Sequence, residues 1–282
     1  MTVGAIIIAQ NNSIIDYTKL AVYAASMVEE FLDIPVSLIT DNKDWLEISH
    51  PTHNFEHVIE IPFEESTQQR SFRDGSLSSK KLEWRNLSRN MVYDLSPYDT
   101  TLVLDSDYII NSDNLKNALS LDYDFQIYKH STDLVEWRGT KEFERINEYS
   151  IPFYWATVFI FKKSMIMRSF FDLIEYIKIN WNYFRVLYSI ESSLYRNDYA
   201  FSIAIHIMNG KLDGDFAVEL PGSMIFCSDK DILIEKDGDK MKFLLEKEDF
   251  VGEYIVSKTE GLDIHVMNKL SLTRFIDGGN GV

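Results

Sequence analysis

Thr101-Leu-Val-Leu-Asp105-Ser-Asp107 is an apolar run that stops on two carboxylates. Its length and composition suit a strand buried on both faces, and residues two apart on a strand project to the same side. Asp105 and Asp107 therefore point together off the end of such a strand, where open α/β sheets bind their ligands. The spacing alone selects nothing, because the chain holds five Asp-x-Asp pairs. Asp122/Asp124, Asp213/Asp215, Asp229/Asp231 and Asp237/Asp239 lie beside turns or charged segments and read as solvated turns. Only Asp105/Asp107 ends a buried-looking strand. Two hard oxygen ligands there would hold a divalent cation; a strand-end cap and a structural Ca²⁺ site are other uses of such a pair.

Working outward, Val3-Gly-Ala-Ile-Ile-Ile-Ala9 is a second continuous apolar run and predicts the first strand. After the polar turn Gln10-Asn11-Asn12-Ser13, apolar residues recur at Leu20, Ala24, Met27, Val28 and Phe31, which is helical spacing. Val36-Ser-Leu-Ile39 then supplies another strand, completing a β-α-β unit whose ligand edge falls at Gln10-Asn12 and Thr40-Asp41-Asn42. Val58 to Ile61 reads as a strand, Glu64 to Ser79 as a loop able to act as a lid, and Lys80 to Leu95 as a helix. Further strands are expected at Asp124–Tyr128 and Ala156–Phe161, and a long helix from Ser164 to Tyr188. Asn197 is placed to cap a helix over Asp198–Met208, with Gly210 past its end. Ile232–Glu235 and Met241–Leu245 flank Lys236-Asp-Gly-Asp-Lys240 as a hairpin. The sum is an α/β chain with a Rossmann-like, mostly parallel central sheet flanked by helices. No linker divides it, so residues 1–282 read as a single domain: 1–110 a nucleotide-binding half, 111–276 an acceptor-side half, 277–282 a flexible tail.

Composition narrows the function. The formal charge of −16 repels a phosphate backbone at long range, which makes nucleic acid a poor partner. One cysteine, Cys227, excludes an internal disulfide and suits a reducing compartment, so the expected location is the cytoplasm. Val3–Ala9 is too short to span a bilayer and lacks the basic start of a signal peptide.

Several segments, in order, resemble glycosyltransferase family 8, which contains glycogenin and bacterial lipopolysaccharide galactosyltransferases. Gln10-Asn11-Asn12 and Leu38-Ile-Thr-Asp41-Asn42 look like the family's nucleoside-cradling loops. Lys81-Leu-Glu-Trp-Arg85-Asn-Leu-Ser-Arg89 leads to Leu102-Val-Leu-Asp105-Ser-Asp107, similar to its strand-end metal motif. Trp155-Ala-Thr-Val-Phe-Ile-Phe-Lys162 is similar to its buried strand before the acceptor-side helix. Arg196-Asn-Asp198-Tyr-Ala-Phe201 resembles the segment that sets an Asp beside the reacting sugar. Ile264-His265-Val-Met-Asn-Lys269 resembles the motif whose His completes the metal site and whose Lys meets pyrophosphate, although Asn268 and Leu270 stand where the family carries Gly and Pro.

The resemblance implies a GT-A-like nucleotide-diphospho-sugar transferase fold and transfer of a sugar, with retention, from a nucleoside-diphosphate sugar to a hydroxyl; a UDP-sugar is favoured. It implies Asp105, Asp107 and His265 as metal ligands, and Gln10, Asn11, Asn12, Asp41, Arg85, Arg89 and Lys269 toward the nucleotide. Asp198 would act on the sugar side. Two carboxylates with an imidazole tilt the metal towards Mn²⁺ over Mg²⁺. The plainer uses are a strand histidine for His265, surface charge for Lys269 and the arginines, and a helix-dipole carboxylate for Asp198. Glu136-Trp-Arg-Gly139 with Tyr149, Phe153, Tyr154 and Trp155 could stack on an acceptor sugar, though core packing is the commoner use. A nucleotidyltransferase of the same fold is the nearest alternative, but Gln10-Asn-Asn-Ser13 lacks the glycines and basic residue of a phosphate loop. A non-catalytic nucleotide- or sugar-binding relative is the other.

Overall fold

The chain's three-dimensional structure, a computed structural model, describes residues 2–64, 66, 68–85, 89–135, 138, 144–147, 150–248 and 250–279. In chain order the first half runs β1 (Val3–Ala9), α1 (Tyr17–Leu32), β2 (Val36–Thr40), α2 (Lys43–Ser49), β3 (His57–Glu60), β4 (Gln69–Arg73), β5 (Ser79–Glu83), α3 (Val92–Leu95) and β6 (Thr100–Asp105). There follow β7 (Tyr108–Ile109), α4 (Asn114–Ser120), β8 (Phe125–Tyr128), β9 (Ser131–Asp133), β10 (Trp155–Lys162), α5 (Met165–Ile179), α6 (Trp181–Leu187) and α7 (Asn197–Met208). The last are β11 (Val218–Glu219), β12 (Met224–Cys227), β13 (Ile232–Asp237), β14 (Lys240–Glu246), β15 (Tyr254–Glu260), β16 (Ile264–Val266) and α8 (Lys269–Gly279).

The central sheet has seven strands in the order β11-β8-β10-β6-β1-β2-β3. All its pairings are parallel except the two made by β10, so the expected mostly parallel α/β sheet is what the chain forms. β1 lies between β6 and β2, and its alternate residues feed two cores. Ile6 and Ile8 join the side covered by α5 and α7, while Ala5, Ile7 and Ala9 join the side covered by α1. This two-faced burial is why β1 reads as continuous apolar sequence without alternation. On the α5/α7 side phenylalanines carry the packing, with Phe125–Phe170 at 4.8 Å and Phe159–Phe201 at 4.9 Å between centroids. α1 starts on Asp16, whose carboxylate accepts from the Lys19 backbone N–H, and approaches the sheet closely through Ala21, Ala24 and Ala25.

A second sheet, β7-β16-β12-β9, continues from the end of β6. β16 runs antiparallel to β7 with His265 opposite Tyr108, and the Val266 N–H donates to the Asp107 carbonyl at 2.9 Å. The expected hairpin is β13–β14, turning through Gly238 at φ +57, and β15 extends it to three strands.

Four local expectations need correction. Lys80–Leu95 is not one helix: Ser79–Glu83 is the strand β5, paired antiparallel with β4, and among the described residues of this stretch the helical ones are a 3₁₀ turn at Arg89–Met91 and the short α3. Phe72 and Leu82 enter a core cluster and Trp84 packs against it, so alternate burial overrides the helix propensity of Lys, Leu and Glu. Gln69–Arg73, read as loop, is the partner strand β4. The helix expected over 164–188 is two, α5 and α6, breaking at Asn180. Asp231 is no solvated turn residue: its side chain is fully buried, bonded to Arg138, which Asp133 also holds, with Nη2 2.6 Å from each carboxylate.

Asp263, immediately before β16, is buried and accepts from the Asn111 N–H (2.7 Å) and the Ser112 hydroxyl (3.0 Å). Burial pushes its carboxyl up to about 6, above the ordinary 3.8. The folded state therefore holds this proton more tightly than the unfolded one, and stability falls as pH rises from about 4 through 6. Asp263→Asn keeps the acceptor oxygen and removes the buried charge. It is expected to be the more stable protein at pH 7.5 by roughly 1–3 kcal/mol in urea melts, with the gain vanishing near pH 4. Equal stability at both pH values would contradict this account.

Candidate active site at the carboxyl edge of the sheet

The carboxyl ends of β1 and β6, the amino end of β10 and the start of α7 border one cleft, with Gln10, Asp105, Asp107, Trp155 and Asp198 in its walls. The second sheet brings His265 and Lys269 to the same cleft, and the β4–β5 hairpin adds Arg70, Phe72 and Trp84. Asp105 stands at the last position of β6 and pairs with the Arg89 guanidinium. Arg89 is buried, which lowers its pKa to about 10 although Asp198 and Asp107 work the other way. Asp107 is buried, and its Oδ2 lies 3.2 Å from His265 Nε2 and 2.5 Å from Lys269 Nζ. Burial would push this carboxyl up, but Lys269 and His265 outweigh it and hold it well below the usual carboxylate range.

One potential ligand atom from each of Asp105, Asp107 and His265 lies within 4.8 Å of the others, the only such acid/histidine/cysteine group among the described residues. Two carboxylate oxygens and an imidazole are a donor set suited to Mg²⁺ or Mn²⁺. Asn268 leaves room for this arrangement. Its side chain turns inward, donating to the Asp231 carbonyl (2.8 Å) and accepting from the Ser271 N–H (2.9 Å) as an N-cap of α8 does, and Lys269 next to it reaches the cleft.

The remaining sequence-predicted residues divide. Gln10, Arg85, Arg89, Asp198 and Lys269 line the cleft with the three candidate ligands; Asn11, Asn12 and Asp41 do not. The Asn11 N–H donates to the Asn42 side chain and its Oδ1 accepts from Thr18 N. Asn12 Oδ1 accepts from the Ile14 and Ile15 N–H groups, and its amide reaches the Glu83 carbonyl. Asp41 sits behind the wall, accepting from Gln10 Nε2 at 3.4 Å and lying 3.5 Å from Arg85 Nη1. These three shape the loops under the cleft. Arg85 and Arg89 do reach one cleft, though not from a shared helix face.

Asp198 occupies the first turn of α7, where Arg196, not Asn197, is the N-cap residue. Its Oδ1 accepts from the Ala156 N–H at 3.0 Å, and its Oδ2 from Arg196 at 2.8 and 3.3 Å. Phe153, Tyr154 and Trp155 are buried: Phe153 meets Trp155 edge-on at 5.2 Å, and of the three only Trp155 lines the cleft. Arg138 is committed to Asp133 and Asp231, while Glu136, Trp137, Gly139 and Tyr149 lie outside the described residues. Sequence reading missed Tyr17, Arg70, Phe72, Trp84 and Arg196; the period-two alternation of the β4–β5 segment was the available signal for three of them.

In charge the cleft is the reverse of the whole molecule. A chain of formal charge −16 lines it with Arg70, Arg85, Arg89, Arg196 and Lys269 against Asp105, Asp107 and Asp198. A concave site of this kind concentrates anions.

No protein-family model matches the chain, and no curated protein sequence matches it. Among solved structures it is similar to the glycosyltransferase GlyE of Streptococcus pneumoniae TIGR4, at 13% identity and TM-score 0.43 over 78% of this chain and 46% of that one. It is also similar to the galactosyltransferase LgtC in complex with donor and acceptor sugar analogs, at 15% identity and TM-score 0.44 over 77% and 72% of the two chains. The chain thus spans less than half the length of GlyE. Among the described residues no helix is long and apolar enough to cross a membrane.

Proposed function

We propose that the protein is a metal-dependent glycosyltransferase that moves a sugar, with retention, from a nucleoside-diphosphate sugar to a hydroxyl, a UDP-sugar being the favoured donor. The observation that carries the reading is the convergence of Asp105, Asp107 and His265 in a cleft that also holds Arg70, Arg85, Arg89, Arg196 and Lys269. Asp105, Asp107 and His265 would hold a divalent cation, which would supply Lewis-acid neutralisation of the charge that develops on the departing diphosphate. Arg85, Arg89 and Lys269 are positioned to attract and orient that anion. Gln10 faces the nucleoside side, supported from behind by Asp41, and Asn11 and Asn12 hold its loop. Asp198, fixed by Ala156 and Arg196, presents its carboxylate to the sugar side. Residues 1–110 supply most of the nucleotide side; the acceptor approaches from the later half.

Retention admits two routes, a carboxylate nucleophile or attack from the leaving-group face. Both need Asp198 or the diphosphate oxygens near the anomeric carbon. The test is donor turnover. UDP is expected to be released from a UDP-hexose in the presence of Mn²⁺, with the release abolished by EDTA. Saturable nucleotide binding with no release would identify a binding relative, and pyrophosphate release from an NTP with a sugar phosphate would identify a nucleotidyltransferase.

A further inference from the structure

The β4–β5 hairpin forms a wall of the cleft, and its first strand, β4, belongs to none of the segments that carry the resemblance. Arg70 opposes Leu82 across its ladder, and Phe72 stands two residues on, so the pleat turns these side chains to one face. Phe72 and Leu82 are buried in a core cluster and Trp84 packs against it. Lys80, opposite Phe72, shares this face, and of its two exposed cations Arg70 is the one that lines the cleft. Its guanidinium lies 5.7 Å over the Trp84 ring and lines the cleft.

The cleft's other cations already have carboxylates: Arg85 has Glu83 and Asp41, Arg89 has Asp105, Arg196 has Asp198, and Lys269 has Asp107. No ion pair joins Arg70 to a carboxylate among the described residues. It lines the same cleft as Tyr17 and the three candidate metal ligands.

The hairpin is also fastened at its tip. Asp74 receives two hydrogen bonds from Arg274 of α8, at 2.6 and 2.7 Å, and one from Asn268 Nδ2 at 3.4 Å. The Tyr254 hydroxyl of β15 accepts from the Ser76 N–H at 2.9 Å and lies 2.8 Å from the Ser76 hydroxyl. Gly75 passes between them at φ +75, and the Tyr254 hydroxyl lies 3.0 Å from where a Cβ would stand. Asn268 adjoins Lys269, so the latch registers the hairpin against the segment carrying the cleft's lysine.

We propose that Arg70 is a contact residue for the diphosphate of the bound donor, held over the cleft by the hairpin latched through Asp74. The assignment rests on the nucleotide-sugar reading above. Calorimetric titration with UDP, uridine and inorganic pyrophosphate, each with Mn²⁺, tests it on the full chain and its Arg70→Gln, Arg70→Lys and Arg274→Gln variants. Loss of one charge-assisted contact is expected to weaken UDP and pyrophosphate by about 10- to 100-fold in Arg70→Gln, with uridine unchanged. Arg70→Lys is expected to recover most of the loss, and Arg274→Gln to show a smaller loss of the same kind. If the wild type binds UDP and Arg70→Gln binds it equally well, or loses uridine in equal measure, the Arg70 assignment is overturned and the donor reading stands. A wild type that binds neither UDP nor pyrophosphate overturns both.

Discussion

Asp105→Ala, Asp107→Ala is expected to erase the Mn²⁺-dependent part of UDP binding while leaving, or even raising, affinity measured without metal. The two halves of this outcome come from the same contacts. Both carboxylates are candidate metal ligands, and a lone imidazole from His265 is too poor a site to retain Mn²⁺. Both are also the counter-charges of Arg89 and Lys269, which the substitution sets free to face an anion. Calorimetry with UDP and GDP, with and without Mn²⁺, should show wild-type affinity at least about tenfold stronger with metal and the variant indifferent to it. The freed cations lose buried partners, so the variant is expected to melt earlier, by a few kcal/mol at most. A variant whose UDP binding still responds to Mn²⁺ would remove these carboxylates from the metal site; a wild type that binds no nucleotide would favour a non-catalytic relative.

For Asp198→Asn the expected effect falls on turnover alone. Asparagine keeps the oxygen that accepts from the Ala156 N–H, so the junction between β10 and α7 should survive. What disappears is the negative charge beside Arg196 and near Arg89. If that charge acts on the sugar, transfer should fall by about 100-fold or more while UDP affinity stays within about twofold. Substitution of a merely structural carboxylate would instead lower stability with transfer retained in the folded fraction, and an active Asp198→Asn protein would defeat the assignment.

The parts legible in sequence are those whose signal is local. β1, α1 and β2 follow from one apolar run, one 3.6-residue stripe and another run, and the choice of Asp105/Asp107 among five similar pairs needed only the strand before it. His265 was legible only through a resemblance of motifs, because its tie to Asp107 spans 158 residues. Asp231 looked like a surface turn because its partner Arg138 stands 93 residues away. The hairpin escaped because Lys80-Lys-Leu-Glu-Trp84 satisfies helix propensity and strand alternation at once, and packing decided between them. Of the loop residues expected toward a nucleotide, Gln10 lines the cleft while Asn11, Asn12 and Asp41 do not, because hydrogen bonds to distant parts of the chain decide which residue faces the cleft and which holds the loop.

The antiparallel pairing of β16 with β7 has a consequence for the chain as it is made. Asp105 and Asp107 leave the ribosome long before His265 and Lys269, and the second sheet cannot close until the later strand arrives. During synthesis Arg89 can meet Asp105 early, yet Asp107 waits without the two partners that compensate its burial. The candidate ligand set thus stays incomplete until β16 has been made and has paired with β7. A nascent or misassembled chain would present no finished candidate metal centre, so its readiness for chemistry reports that β16 has found its place beside β7.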